Sequence, residues 1–553
     1  MAKSTKIYIA CASAVLAIIL GSEIFKTVRF RKYCESTDAM KTHIDTVRSF
    51  STQARRGDIL DCKGNILATI DTVYNVHFDA ALGKDSVWVE ALPALSTGLA
   101  EILKDRTPSE YNSYLNKGRA AQRRYLEICK DVGQSTLDSL KSLPLFNLPF
   151  SKGGGMIVET IQKRVYPYGP LARRTIGFVR NNPELYNNHI GIEGSFNKAL
   201  SGKDGYGIIK DKHIRLPFGK IKHIHKAIKV VNSENGENVK IELDIKMQAA
   251  ADSILRAAIK GHKGIKGACL MTVSTNSGAI RTMVNLTKDA HGVFGEYYNV
   301  SIGYGYEPGR IIAPATALAA AKCNPTVSLD GLDFTLKDAL RDIAGKCNPS
   351  DYCDYLRAML QGEYAFSHLE IDGLASLQMI TPKDNNWSAS TLGSIANGYS
   401  IKAPAVQWLG LYTAIARGGE GIAQRLVAPI SGADDNRMLY TLCSKEQAEE
   451  LTESLKAASA ARMSGTAYEM AGLTGSSFIA MPGAGYTDEY GRHAMQSSYA
   501  GFFPADTPAF SIICMVYSEP MTDSYTITGI PSQVVKEFVS SSIVAERVKE
   551  TLE

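Results

Sequence analysis

Apolar and polar positions change their period several times along the 553 residues, and the changes outline the chain. Residues 7–22, IYIACASAVLAIILGS, form an uncharged, mostly apolar run. Polar, helix-like spacing follows over residues 26–51. Asp61-Cys62-Lys63-Gly64-Asn65 reads as a turn between two short extended runs. Residues 86–148 carry helix-like segments rich in Leu, Ala and Lys, and residues 153–155, three glycines, mark a break. Residues 156–235 are mixed and glycine-punctuated, and the polar stretch 232–238 reads as a linker. Beyond it, residues 247–259 have apolar positions at helical spacing. Residues 268–273 and 279–284 are apolar runs joined by a five-residue turn, which predicts a hairpin. Residues 313–321, small and apolar, suit a buried helix. Residues 499–503 and 509–516 bracket a Pro-containing turn, and residues 532–552 read as one amphipathic helix. Hairpins interleaved with helices predict an α+β fold and not a βαβ repeat. No internal repeat is present.

Composition narrows the possibilities. Hydrophobic residues make up 45% and charged ones 21%, as in ordinary globular proteins. A formal net charge of +5 over this length does not point to nucleic acid as a partner. The ten cysteines form no Cys-x-x-Cys pair and no His/Cys cluster of zinc-finger spacing, so no metal site or cofactor is implied. Cys347 and Cys353 are near enough in sequence to pair in an oxidising compartment. The 7–22 run, preceded by Lys3 and Lys6, approaches the about 17 to 25 residues of a spanning helix once Ile24 and Phe25 are added. It predicts a membrane anchor, with a cleaved signal peptide as the alternative. Lys26, Arg29, Arg31 and Lys32 follow it, so flanking charge does not set its orientation.

Several segments then carry a resemblance. ARRGDILDCKGNILATI contains Arg56, Gly57, Asp58 and Ile59, then Asp61, Gly64, Leu67 and Ala68. It is followed by YPYGPLARRTIGFV from Tyr166, GIEGSFNKALSGKDG from Gly191, IELDIKMQAAAD from Ile241 and NSGAIRTMVN with Thr282. In this order they resemble the pedestal and the opening of the transpeptidase domain of class B penicillin-binding proteins, and most closely the division-type branch. The resemblance implies a transpeptidase domain of antiparallel sheet and flanking helices, preceded by a mixed pedestal, or dimerisation-like, domain and a single N-terminal transmembrane helix. The boundaries expected are 1–26 for the cytoplasmic tip and anchor, 27–235 for the pedestal and 236–553 for the transpeptidase-like domain.

The family's chemistry uses a Ser-x-x-Lys nucleophile and base, a Ser-x-Asn loop and a Lys-Thr-Gly strand. Here Tyr306-Glu307-Pro308-Gly309 keeps the lead-in to the first motif, but Arg310 stands at the nucleophile position and Ala313 at the base position. A guanidinium stays protonated and cannot attack a carbonyl. In AGLTGSS, Leu473 replaces the lysine while Thr474 and Gly475 remain. Lys346-Cys347-Asn348 is the candidate for the Ser-x-Asn element. Gly398 and Gln407 keep family positions, whereas Ser400, Pro404 and Arg417 depart from them. Ser195 and Lys198 fit Ser-x-x-Lys as a pattern, yet fall inside the pedestal match. Losing nucleophile and base costs on the order of 10⁶ in kcat, about 8 kcal/mol.

The resemblance therefore implies a catalytically inactive scaffold or regulator of peptidoglycan synthesis and cell division. It would be held in the cytoplasmic membrane with its bulk outside the cytoplasm, and would meet other cell-wall or division proteins through the pedestal. Two alternatives stay open. One is a working D,D-transpeptidase with a non-standard site. The other is a stem-peptide sensor in which Arg310, Thr474, Ser476 and Ser477 contact the ligand. Arg310 is otherwise expected to fill the old cleft and bond a neighbouring carboxylate.

Overall fold

Strands that sit between two layers of helix bury both faces, and the C-terminal half of this chain is built that way. The computed structural model describes residues 21–28, 46–149, 152–179, 190–215, 221–361, 369–428, 439–481, 483 and 485–553. Six strands form one antiparallel sheet: β1 (Ile265–Ser274), β2 (Ile280–Lys288), β3 (Phe294–Gly295), β4 (Ala471–Phe478), β5 (Met495–Phe503) and β6 (Phe510–Ser518), in the order β3-β2-β1-β6-β5-β4. Neighbouring residues on β1 and β6 face opposite cores. Ala268, Leu270, Ile512 and Cys514 pack with Met247, Leu255, Val534 and Phe538 of the covering helices. Cys269, Met271, Ile513 and Met515 turn to a second core with Val406, Leu409 and Tyr412. The apolar runs at 268–273 and 279–284 are thus the expected hairpin, without polar alternation because neither face meets water.

The helix α1 (Ile245–Ile259) starts where Asp244 caps it, accepting from the amides of Lys246 at 3.0 Å and Met247 at 3.1 Å. The same carboxylate pairs with Arg547 at 2.6 Å, both side chains being buried. Residues 313–321 are the expected buried helix, α2 (Ala313–Cys323), and α3 (Lys337–Ala344), α4 (Thr391–Ala396) and α5 (Ala405–Ala416) stand around it. The expected single terminal helix is two, α6 (Ile530–Val539) and α7 (Ser542–Leu552). The break falls at Ser540 and Ser541, whose hydroxyl chemistry competes with the helix: Ser541 Oγ donates to Phe538 O at 2.7 Å.

The described chain divides into two compact units, residues 57–200 with 237–553, and residues 1–56 with 201–236. The smaller contains a three-stranded antiparallel sheet, Thr46–Thr52 beside Gly205–Arg215 beside Ile221–Val231. Thr46–Thr52 is therefore strand where helical spacing had been expected. In the larger unit the expected turn at 61–65 joins Ile59–Leu60 to the long strand Ile66–Phe78. Asp61 organises it, accepting from the amides of Lys63 at 2.9 Å and Asn65 at 2.7 Å. Helices Asp85–Leu103, Pro108–Ala120 and Gln134–Lys141 appear within the segment read as helical, but Leu126–Val132 between them is a strand on Ile66–Phe78. Met156–Val165 pairs along the other edge of that strand.

The residues 7–20 of the expected anchor lie outside the described residues. Among those described, no helix is long and apolar enough to cross a membrane. Cys347 and Cys353 are both free thiols.

Candidate functional site

Two segments singled out by sequence and the strand before Tyr166 converge on one buried charge. Arg164 donates to Glu193 at 2.6 Å and to the Gly57 carbonyl at 2.7 Å, with the Glu193 side chain fully buried. Gly57 is needed because a Cβ there would lie 2.0 Å from Glu237 O. The Arg-Gly turn, the strand before Tyr166 and the Gly-x-Glu segment are thus one structural unit.

In the C-terminal half, a cavity of about 890 Å³ opens between the turn leading into α2, the segment around α4, and strand β4. Backbone contacts hold its walls together. Tyr306 and Ala403 exchange N–H···O bonds of 3.1 and 3.2 Å. Burial pushes the Glu307 carboxyl above the usual carboxylate range, against the Ser400 amide that donates to it at 3.0 Å. The Glu307 carbonyl accepts from Ser477 Oγ at 2.7 Å and from Gln496 Nε2. Gly309 has φ +57° and Gly398 φ +80°; a Cβ on Gly398 would lie 2.1 Å from Gly309 O. A Cβ on Gly475 would lie 2.3 Å from Pro308 O. Only glycine permits these approaches.

Within this frame, Arg310 sits on a single 3₁₀ turn, Gly309–Ile312, and lines the cavity. Among the described residues no carboxylate lies within 4.0 Å of it, so the expected neighbouring partner is absent. Asp333, whose carboxyl is held low first by Thr335 and last by Arg310, bonds Thr335 instead. Ala313 opens α2 and is fully buried in the core, as is Leu473 at 4% exposure. Thr474, Ser476 and Ser477 reach the cavity lining. Ser477 is already committed to Glu307 and Gln496, and Ser476 Oγ donates to Ser497 at 3.1 Å. Gly475 packs against the backbone of the Arg310 turn, where a Cβ would lie 3.1 Å from Arg310 N.

The Ser-x-Asn candidate does not reach the cavity. Its turn does, through Gly345, but Lys346 is exposed and Asn348 accepts from the Ser350 amide at 2.9 Å, capping the next helix. Cys347 is buried with Sγ 3.6 Å from Ile343 O. Ser195 and Lys198 are exposed and line no part of it.

Sequence reasoning missed Arg341 and Asn397, both on the lining. Asn397 adjoins the retained Gly398, which was the available signal; nothing in the amphipathic segment of Arg341 marks it. The lining contains no Lys, His, Asp or Glu among the described residues. Its titratable side chains besides the arginines are Tyr399 and Tyr525.

A second cavity, about 480 Å³, is lined by Arg173, Arg174, Arg256 and Glu296. Glu296 accepts from the amides of Arg174 at 3.0 Å and Asn285 at 3.4 Å, and burial pushes its carboxyl up to about 8.

Comparison with known proteins accounts for both halves. Residues 51–241 match the model of the penicillin-binding protein dimerisation domain, and residues 343–539 that of the penicillin-binding protein transpeptidase domain. Arg310 and Ala313 lie between the two stretches, and Leu473 to Ser477 within the second. The chain is 22% identical over 414 residues to penicillin-binding protein PbpB of Mycobacterium tuberculosis, covering 64% of this chain and 57% of PbpB. It is 22% identical over 391 residues to the probable peptidoglycan D,D-transpeptidase PenA of Neisseria flavescens, covering 64% of this chain and 93% of PenA. In fold it is similar to a penicillin-binding protein (PBP2) solved in complex with MreC from Helicobacter pylori, with a TM-score of 0.61 at 14% identity, covering 90% of this chain and 98% of that one. The buried pedestal cluster, the glycine-walled cleft and the paired dimerisation and transpeptidase matches have one reading, and the chain belongs to the class B penicillin-binding proteins.

Proposed function

We propose that this class B penicillin-binding protein homologue works in peptidoglycan synthesis and cell division without catalysing transpeptidation, as a scaffold or regulator. One observation carries the reading: Arg310 stands where the family's nucleophile belongs, in a cleft whose described lining offers no Lys, His, Asp or Glu to act as base. The same observation weighs against an active transpeptidase using a non-standard site. The buried Arg164–Glu193 cluster supports a pedestal kept for its shape. That a PBP2 of similar fold is found in complex with another protein, MreC, supports a chain that works in an assembly.

In this reading residues 7–22 anchor the chain in the cytoplasmic membrane, the pedestal spans 27–235 and the transpeptidase-like domain 236–553, both outside the cytoplasm. The test is a pulldown of the full chain from detergent-solubilised membranes. A glycan polymerase of the cell-wall machinery should co-purify, and its absence under conditions that retain other division proteins would contradict the scaffold role. A C-terminal alkaline-phosphatase fusion should be active in cells; an inactive fusion would contradict the topology.

A further inference from the structure

We propose that the second cavity binds a phosphate monoester carried on an apolar body, with Arg173 and Arg174 holding two phosphate oxygens and the Glu296 carboxyl donating to a third. This cavity lies between residues 170–178 and the wall made by α1 and β3, all within the larger compact unit. It shares no lining residue with the cleft and does not depend on whether the cleft catalyses.

The arginines on its walls are unequally engaged. Arg256 gives Nε and Nη2 to Asp252 at 2.6 and 3.1 Å, and Nη1 to the Phe294 carbonyl at 2.9 Å. Arg173 lies over the Tyr166 ring, 3.5 Å from its centroid, a contact that spends none of its hydrogen-bond donors. Arg174 forms no ion pair among the described residues, although its backbone amide donates to Glu296. The acids of the lining are Asp252, already paired with Arg256, and Glu296. Burial pushes the Glu296 carboxyl up to about 8, so it is mostly uncharged at neutral pH. The guanidinium charges of Arg173 and Arg174 therefore have no counter-charge on the described walls.

Glu296 adds a donor to these charges. Its oxygens accept from the amides of Arg174 and Asn285. A neutral carboxyl also carries an O–H, and among the described residues no acceptor meets it. A ligand oxygen in the cavity would be that acceptor.

Two guanidinium forks and one O–H suit the three terminal oxygens of a phosphate monoester better than the two of a carboxylate. The rest of the lining is apolar or aromatic, with Pro170, Leu171, Phe178 and Phe294 offering cover to a hydrocarbon body. A volume of about 480 Å³ is enough for a ring or short chain with its phosphate.

The test is calorimetry on the full chain in detergent with phenyl phosphate as the probe. At neutral pH it should bind about tenfold or more tighter than phenol or inorganic phosphate, which each carry half of the recognised chemistry. A water-soluble short-chain phosphatidic acid should compete with it and a hexose phosphate should not, which separates a lipid source from a sugar one. Arg173→Ala and Arg174→Ala should each weaken binding about tenfold or more, and Arg174→Lys should fall between, since it keeps the charge and loses the fork. The charged and titratable groups around Glu296 are Arg173 and Arg174 from the pedestal segment, Asp252 and Arg256 from α1, and its neighbour Tyr297. A phosphate monoester has lost its second proton well below pH 8, so affinity lost as the pH rises through about 8 belongs to the protein. Wild-type binding should weaken there, because Glu296 loses its donor and gains a charge that repels the phosphate. Glu296→Gln keeps an N–H donor and does not titrate, so it should bind at neutral pH and lose that dependence. Phenyl phosphate binding no tighter than phenol, a comparison that needs no variant, would overturn the site. So would Arg173→Ala and Arg174→Ala variants of unchanged melting temperature that bind like wild type, or matching pH profiles for wild type and Glu296→Gln. Competition by the hexose phosphate as strong as by the phosphatidic acid would overturn the apolar body.

Discussion

Two arginines in this molecule occupy opposite situations. Arg164 is almost wholly buried, lies 2.6 Å from a fully buried glutamate and bonds a glycine carbonyl besides. Arg310 faces an open cleft with no carboxylate within ion-pair distance among the described residues. A buried guanidinium without its acid would be strongly destabilising, so the pedestal arginine and its glutamate form one structural part. Nothing in the cleft depends on Arg310 in that way. Its walls are joined by glycine contacts and backbone bonds, at Gly309, Gly398, Gly475 and the Glu307 carbonyl. The two arginines thus differ in what they hold: the pedestal pair is part of the packing, whereas the cleft's frame lies in its backbone contacts.

The contrast can be broken most severely in the pedestal. Glu193→Ala should destabilise the chain by about 3 to 5 kcal/mol, because Arg164 would remain buried and unpaired. Denaturant unfolding measures this, and a loss below about 1 kcal/mol would mean that the pair is not a structural part. In the cleft the equivalent blow is to the frame. Gly398→Ala should cost about 2 to 4 kcal/mol, combining a positive φ with a Cβ driven onto the Gly309 carbonyl. A neutral result by the same measurement would show that the walls move freely.

Glu296 sharpens the comparison from a third side, as a buried acid held by amides and not by a cation. Its carboxyl is pushed up to about 8 by burial, so between the ordinary carboxylate value and about 8 the folded chain keeps a proton that the unfolded chain has lost. Stability from this group is complete below that window and falls as pH rises through it. From pH 5 to 7 the loss should be on the order of 2 kcal/mol, and Glu296→Gln should remove it. Parallel pH profiles for the two proteins would contradict the assignment.

The smallest expected change is in chemistry. Arg310→Ser with Ala313→Lys restores a nucleophile and base to the frame, yet Leu473 still leaves the strand without a cation. One missing preorganised charge costs about 10² to 10³ in rate. The double variant should therefore acylate slowly or not at all with penicillin, and adding Leu473→Lys should speed it. Fast acylation of the double variant would show that the Leu473 position does not matter.

Much of this was legible in sequence where local rules decide. Gly309, Gly398 and Gly475, singled out in the sequence, make close backbone approaches in the cleft, and the small apolar run from Ala313 proved a buried helix. The hairpin of β1 and β2 was plain from two apolar runs and a turn. What escaped depends on distant partners. Leu126 to Val132 is a strand because Ile66 to Phe78 lies beside it, and Ser540 and Ser541 break a helix whose apolar spacing runs straight through. Lys346 looked like a motif residue but faces solvent, while Arg341, unremarkable on its amphipathic helix, meets the cleft. That Arg310 has no carboxylate within ion-pair distance among the described residues is likewise a property of three-dimensional neighbours that no spacing rule conveys.

The proposal that the cleft does not acylate is open to a direct test. Intact-mass spectrometry of the wild-type chain after incubation with excess benzylpenicillin tests this most directly. The account predicts an unshifted mass at times when an active relative, treated alongside, is fully modified; a stoichiometric gain of one penicilloyl group would contradict it.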